Sequence, residues 1–170
     1  MSEEIPKSLP VEQQLKFLRE SFHSKHIKLY LDLIKILGKE KGFELWKKLA
    51  ELYQLEPVAE PLKKAKNIYE VFKAAVPLFD AVGFKMSVER LGDDKVREVE
   101  STCPYIEIAK KLQLNDIPCK IICELDVELM NKNKKFRGLV LKEVKIISQI
   151  AKGADKCVFE YTGKPEWVTK

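Results

Sequence analysis

The chain has 170 residues, 45% of them apolar and 34% charged, with 31 basic against 26 acidic side chains. That length suits one domain with a real core, and charge mixed along the chain reads as solvated surface rather than as a nucleic-acid-binding face. No apolar run approaches the ~18 residues of a membrane span. The acidic start Met1–Pro6 lacks the apolar stretch of a signal peptide. A cytoplasmic protein that binds neither membrane nor nucleic acid is the expectation.

Residues 1–10, with Pro6 and Pro10, read as a lead-in. Leu15, Leu18, Phe22, His26, Leu29, Tyr30, Leu33 and Leu37 then recur at spacings of three and four, which predicts a helix with this stripe turned to the core. Gly38 ends it. Phe43, Trp46, Leu49 and Tyr53 mark a second helix, broken at Glu56-Pro57. A third runs from about Pro61 to Phe79 on Leu62, Ala65, Ile68, Tyr69, Phe72 and Val76, with Pro77 disturbing its end. Phe84, Met86 and Val88 alternate as a half-buried strand. Gly92-Asp93-Asp94 turns the chain into a partner strand over 95–102. Val96 and Val99 are out of phase there, which predicts a bulge.

Pro104 and Pro118 each suit the first turn of a helix. The basic run Lys132–Arg137 reads as a solvent-facing loop. Strands over 139–148 and 155–161 close the chain, the last with Cys157, Phe159 and Tyr161 on one face. Hairpins give an antiparallel sheet, and helices must cover one of its faces. The fold class is therefore α+β, with two hairpins, in a single domain over 1–170. Its halves are a three-helix part (1–80) and a mixed hairpin–helix–helix–hairpin part (81–170).

The chemistry-bearing residues are few. No glycine-rich phosphate loop and no serine-centred elbow is present. Four cysteines in a chain with no sign of export argue against disulfides and leave buried thiols, a metal or reactivity. Cys103 sits just before a helix start, where free amides favour a thiolate. Cys119 and Cys123 are four apart, and Cys123 and Asp126 three apart, so each pair shares a helix face. Glu124 points away from Asp126. Three thiolates with a carboxylate or water would suit zinc, yet no Cys-x-x-Cys pair supports it, and buried cysteine is common. His23 and His26, with Glu20 one turn earlier, could pair on a metal. A core histidine and a surface ion pair explain the same spacing.

Three segments carry a resemblance. They are Cys103-Pro104-Tyr105-Ile106-Glu107, Ile122-Cys123-Glu124-Leu125-Asp126, and Gly153-Ala154-Asp155-Lys156-Cys157-Val158-Phe159. Together they resemble the family named after L-2-amino-thiazoline-4-carboxylic acid hydrolase, over roughly residues 84–162. The closing strand is also similar to vinyl-4-reductase-type domains, thought to bind small apolar ligands. The resemblance implies a pocket for a small, possibly apolar molecule. It also implies a site built on Cys103, Cys123 and Cys157, with the family's acid at Asp126 and no counterpart for Cys119, which is assigned to the core. Three functions follow. The preferred one is a small-molecule-binding domain with a cysteine-centred site, with zinc as the expected metal on Cys103, Cys123 and Cys157. The second is a thiol- or metal-dependent hydrolase of a small heterocyclic or amide-like substrate, with Cys103, Cys123 and Asp126 catalytic. The third is a homodimerising interaction module with structural thiols.

Overall fold

A computed structural model describes residues 10–56, 60–115 and 117–168. Helix α1 (Val11–Leu37) turns at Gly38, whose φ of 80° lies outside the helical region, into α2 (Lys39–Gln54). The two helices touch closely at Gly42. A Cβ there would stand 2.8 Å from the Leu33 carbonyl oxygen, so only glycine fits. Predicted as one run, the third helical region is two pieces: a 3-10 turn at Glu60–Lys64 and α3 (Ile68–Ala81). Asn67 divides them. Its side chain accepts the Glu70 amide at 2.9 Å while the Glu70 carboxylate takes the Lys66 amide, a reciprocal cap. Pro77 lies inside α3 and does not end it.

Strands β1 (Lys85–Arg90), β2 (Lys95–Thr102), β3 (Lys135–Phe136), β4 (Leu139–Ser148) and β5 (Cys157–Pro165) form one antiparallel sheet in the order β1-β2-β5-β4-β3. Both predicted hairpins are present, and β2 pairs with β5 to join them. The basic run Lys132–Arg137 is not a loop. It closes a helix, α5 (Leu125–Asn133), and supplies the short edge strand β3. The irregularity at the β1–β2 pair falls at its end, between Lys85 and Met86, not at Val96. On the exposed sheet face Arg97 pairs with Glu160 at 2.7 Å and with Glu89, and Lys95 also holds Glu160. These charges keep that face wet.

The inner face carries the core. Val96, Leu139, Leu141, Val144, Cys157, Phe159 and Tyr161 pack with Ile68, Val71 and Phe72 of α3 and Met130 of α5. Helix α4 (Pro104–Leu112) packs on α1 through Ile27, Phe84, Tyr105 and Ile108. Trp46 of α2 packs on Ile121, Leu125 and Leu129, and its indole N–H donates to the Ile121 carbonyl at 2.7 Å. Of the N-terminal helices α3 lies directly on the sheet, while α1 and α2 pack on α4 and α5.

The expected stripe of α1 is only partly its packed face. Leu15, Leu18, Phe22, Leu29 and Leu37 are exposed, while His26, Tyr30 and Leu33 are half-buried beside Trp46, and the fully buried residues are His23 and Ile27. At 100° per residue these two lie roughly 100° from the centre of the expected stripe. His23 takes the inward position because its ring finds partners there: edge contacts to Phe84 and Tyr105, and a 2.7 Å hydrogen bond to the Val82 carbonyl.

Candidate functional site

The chain brings all four cysteines to one cleft. Cys103 is the residue before α4, Cys157 opens β5, and Cys119 and Cys123 lie on a π-helical segment, Cys119–Glu124, that leads into α5. Such wide turns recur at functional sites. The predicted helix there is real in direction but wider in pitch, and it lets the Cys119 and Cys123 thiols hydrogen-bond to each other. The Gln149 side-chain amide donates to Cys119 Sγ at 2.8 Å, and the Ile150 amide donates to Cys157 Sγ at 3.3 Å. Tyr105, Ile106 and Ala109 of α4 form one wall, Pro118 and Ala151 others, and none of the described lining residues is basic. The cavity is about 20 Å³, room for a water molecule. A substrate would have to part its walls.

Cys119 belongs to this lining, although the sequence reading placed it in the core. The four-residue spacing to Cys123 already put the two thiols on one face; it was the lack of a family counterpart that assigned Cys119 to the core, and its polar partner Gln149 is distant in sequence.

Two acids that the sequence reading passed over lie next to the thiols. Glu98 and Glu100 point inward from β2 and are 4% and 5% exposed. They hydrogen-bond to each other, and Glu98 also to Tyr161. Glu100 is the cross-strand partner of Cys157. Burial first, then the Glu98 charge, pushes the Glu100 carboxyl up to about 9, so it carries its proton at neutral pH. Glu98 is raised as well, by burial, while its hydrogen bonds to Tyr161 and Glu100 oppose the shift. The thiols follow the same rule. Burial and then the Glu100 charge push Cys103 up to about 12, although the Tyr105 and Ile106 amides favour its thiolate. Burial also lifts Cys157 to about 11, against the pull of the Ile150 amide. Cys123 is raised well above the ordinary thiol by its hydrogen bond with Cys119 and by burial.

The remaining candidates sit around this centre. Asp126 does not line the cleft; it accepts the Gln54 side-chain amide at 3.1 Å, and burial pushes its carboxyl up to about 6. Its charge still bears on Tyr105, as does that of Cys123. Glu124 forms an ion pair with Lys152 at 2.6 Å, on another side of the segment. His26 Nδ1 lies 2.8 Å from the Tyr105 hydroxyl, which links α1 to the cleft wall. Glu20 pairs with Lys111 instead of with a histidine. Among the described residues no group of three or more His, Cys, Asp or Glu side chains is arranged to hold a metal ion. The donor types suit zinc; their separations, as they stand here, do not.

The family described as L-2-amino-thiazoline-4-carboxylic acid hydrolase matches residues 18–161. The chain belongs to this family. The match reaches back through α1, α2 and α3, well beyond the 84–162 stretch on which the three cysteine segments rest. Hence the N-terminal helices are part of the family's fold and not an addition to it. No curated protein matches the chain. Membership makes this a hydrolase-like domain that handles small molecules. No helix among the described residues is long and apolar enough to cross a membrane.

Proposed function

We propose that this hydrolase-family protein cleaves a C–N bond of a small cyclic or amide-like molecule, using a thiol of the four-cysteine cleft as nucleophile. The gathering of Cys103, Cys119, Cys123 and Cys157 around one cavity carries this reading. Cys103 is the best placed of them, because the first amides of α4 favour its anion. Its sulfur would bond to the electrophilic carbon as the thiol proton passes to the Glu98–Glu100 pair, and the leaving nitrogen would take a proton from that pair as the C–N bond breaks. Water would then release the acid and restore the thiol. Glu100, protonated and buried beside Cys157, is the proton donor this scheme needs, with Glu98 to share the proton. Asp126 acts at one remove, through Tyr105. The family's namesake substrate, L-2-amino-thiazoline-4-carboxylic acid, is the first molecule to try. Turnover by the wild type that is lost in Cys103→Ser and Cys123→Ser, with folding intact, is the expected result. Turnover surviving in both variants would remove the thiol from the mechanism.

The second reading is a zinc site on Cys103, Cys123 and Cys157, and the donor chemistry favours it. Four thiols line the cleft, none of its described lining residues is basic, and thiolates are ligands zinc prefers. Holding an ion would require the thiols to draw closer than they stand. Elemental analysis of protein purified without added metal decides: one zinc per chain, lost in Cys123→Ser, supports it, and none removes it.

A further inference from the structure

The exposed face of α1 has the spacing of a helix–helix seam. Val11, Leu15, Leu18, Phe22, Leu29 and Ile36 lie on one stripe, each at least 42% exposed. Their positions follow the alternating four-and-three step of a heptad, with Lys25 and Asp32 filling the two remaining steps. The stripe is roughly 38 Å long, at 1.5 Å per residue. A face of that length and about one helix diameter in width is on the order of 400 Å², the scale of the largest patch on an ordinary monomer. The 3.5-residue step matches another helix, whose knobs need holes at that interval.

The two charges on the seam select the occupant. In a parallel pair of identical helices Lys25 would meet Lys25 and Asp32 would meet Asp32, each a like-charge contact at the centre of the interface. In an antiparallel pair crossing near residue 28, Lys25 of one copy falls within a turn of Asp32 of the other, and the two-fold axis repeats the contact. The helices then overlap over about residues 19–37, which takes in Phe22, Leu29 and Ile36 and leaves Val11 and Leu15 beyond the partner's Leu37. Self-complementarity of this kind is what a two-fold interface requires. We propose that a second copy of this chain covers the α1 stripe from Phe22 to Ile36 in an antiparallel helix pair. None of the seam residues lines the cleft, so the proposal stands independently of the reaction.

Light scattering on the full chain, with and without Phe22→Glu/Leu29→Glu, tests it. Both side chains are exposed, so the monomer should keep its circular dichroism. The wild type is expected to be a dimer, and the double variant to weaken it at least about 100-fold, since two carboxylates per copy would be buried unpaired. Orientation is read from charge exchange: Lys25→Glu should weaken the dimer and Lys25→Glu/Asp32→Lys should restore it. A wild-type monomer, or a dimer that survives the double variant, overturns the proposal. Failure of the exchange to restore the dimer overturns the antiparallel arrangement.

Discussion

Glu100 stands directly across the β2–β5 ladder from Cys157, with both side chains on the buried face of the sheet. A carboxyl in that position can be neutral at little cost and charged only at a large one. The folded protein therefore holds a proton that the unfolded chain releases near 4.5.

That difference sets a stability–pH relation. Between 4.5 and about 9 Glu100 keeps in the native state a proton that the unfolded chain has lost, so this group makes stability fall as pH rises through the window, while the lowered His23 and His26 act the other way below 6.5. Asp126 acts in the same direction as Glu100 between 3.8 and about 6. Denaturant unfolding at pH 5 and at pH 8 should show a loss of roughly 2–3 kcal/mol in the wild type. Glu100→Gln should flatten most of it. An unchanged slope in the variant would mean that the pair is solvated.

The thiols should be slow at neutral pH. With Cys103 near 12 and Cys157 near 11, the thiolate fraction is far below that of an ordinary cysteine near 9. Alkylation followed by mass spectrometry at pH 7 is expected to label both at least about 100-fold more slowly in the folded protein than in urea. Fast labelling of Cys103 alone would show that its helix amides outweigh burial and would mark it as the resting nucleophile.

Tyr105 couples the cleft to α1. Removing its hydroxyl in Tyr105→Phe takes the partner from His26 Nδ1, which should reduce stability by about 1 kcal/mol. In the folded protein His26 is held below the usual histidine range by burial and by the nearby His23. Its contribution to stability is thus present at higher pH and is lost as pH falls through the ordinary histidine value. Nuclear magnetic resonance titration of the His26 ring in the two proteins checks the link: the ring should titrate differently once the hydroxyl is gone.

How much of this was legible in the sequence depended on which force set each residue. The inward set Cys157, Phe159 and Tyr161 followed from period-two alternation, because apolar burial drives that strand. The same period starting at Val96 also places Glu98 and Glu100 inward. They were missed because two acids at successive inward positions contradict the hydrophobic rule, and the out-of-phase Val99 offered a bulge as an easier account. The stripe of α1 misled for the opposite reason. Its members His26, Tyr30 and Leu33 do pack beside Trp46, but Leu15, Leu18, Phe22 and Leu29 face away from the body of the domain, while His23 and Ile27 face inward. The convergence of Cys103, Cys123 and Cys157 was expected only from their family-like segments. Local spacing did put Cys119 on the face of Cys123, and its omission came from the family segments alone; only its partner Gln149, thirty residues on, lay beyond any local pattern.

The last prediction concerns the sheet that supports the cleft. Gly163 on β5 lies where β4 bulges around Lys142, between the pairs Leu141–Gly163 and Glu143–Thr162. A Cβ at this position would stand 2.4 Å from the Val140 carbonyl oxygen and 3.0 Å from the Leu141 Cα, and backbone atoms cannot yield as a flexible side chain would. Gly163→Ala must therefore push β4 from β5 or straighten the bulge. A loss of about 2–3 kcal/mol is expected, the range of severe core overpacking. Because Cys157 begins the same strand, β4–β5 displacement should also open the cleft and speed Cys157 alkylation. Thermal unfolding and the labelling rate, measured on one sample, test both halves. A variant as stable as the wild type would show that the β4–β5 contact gives way without loss of pairing.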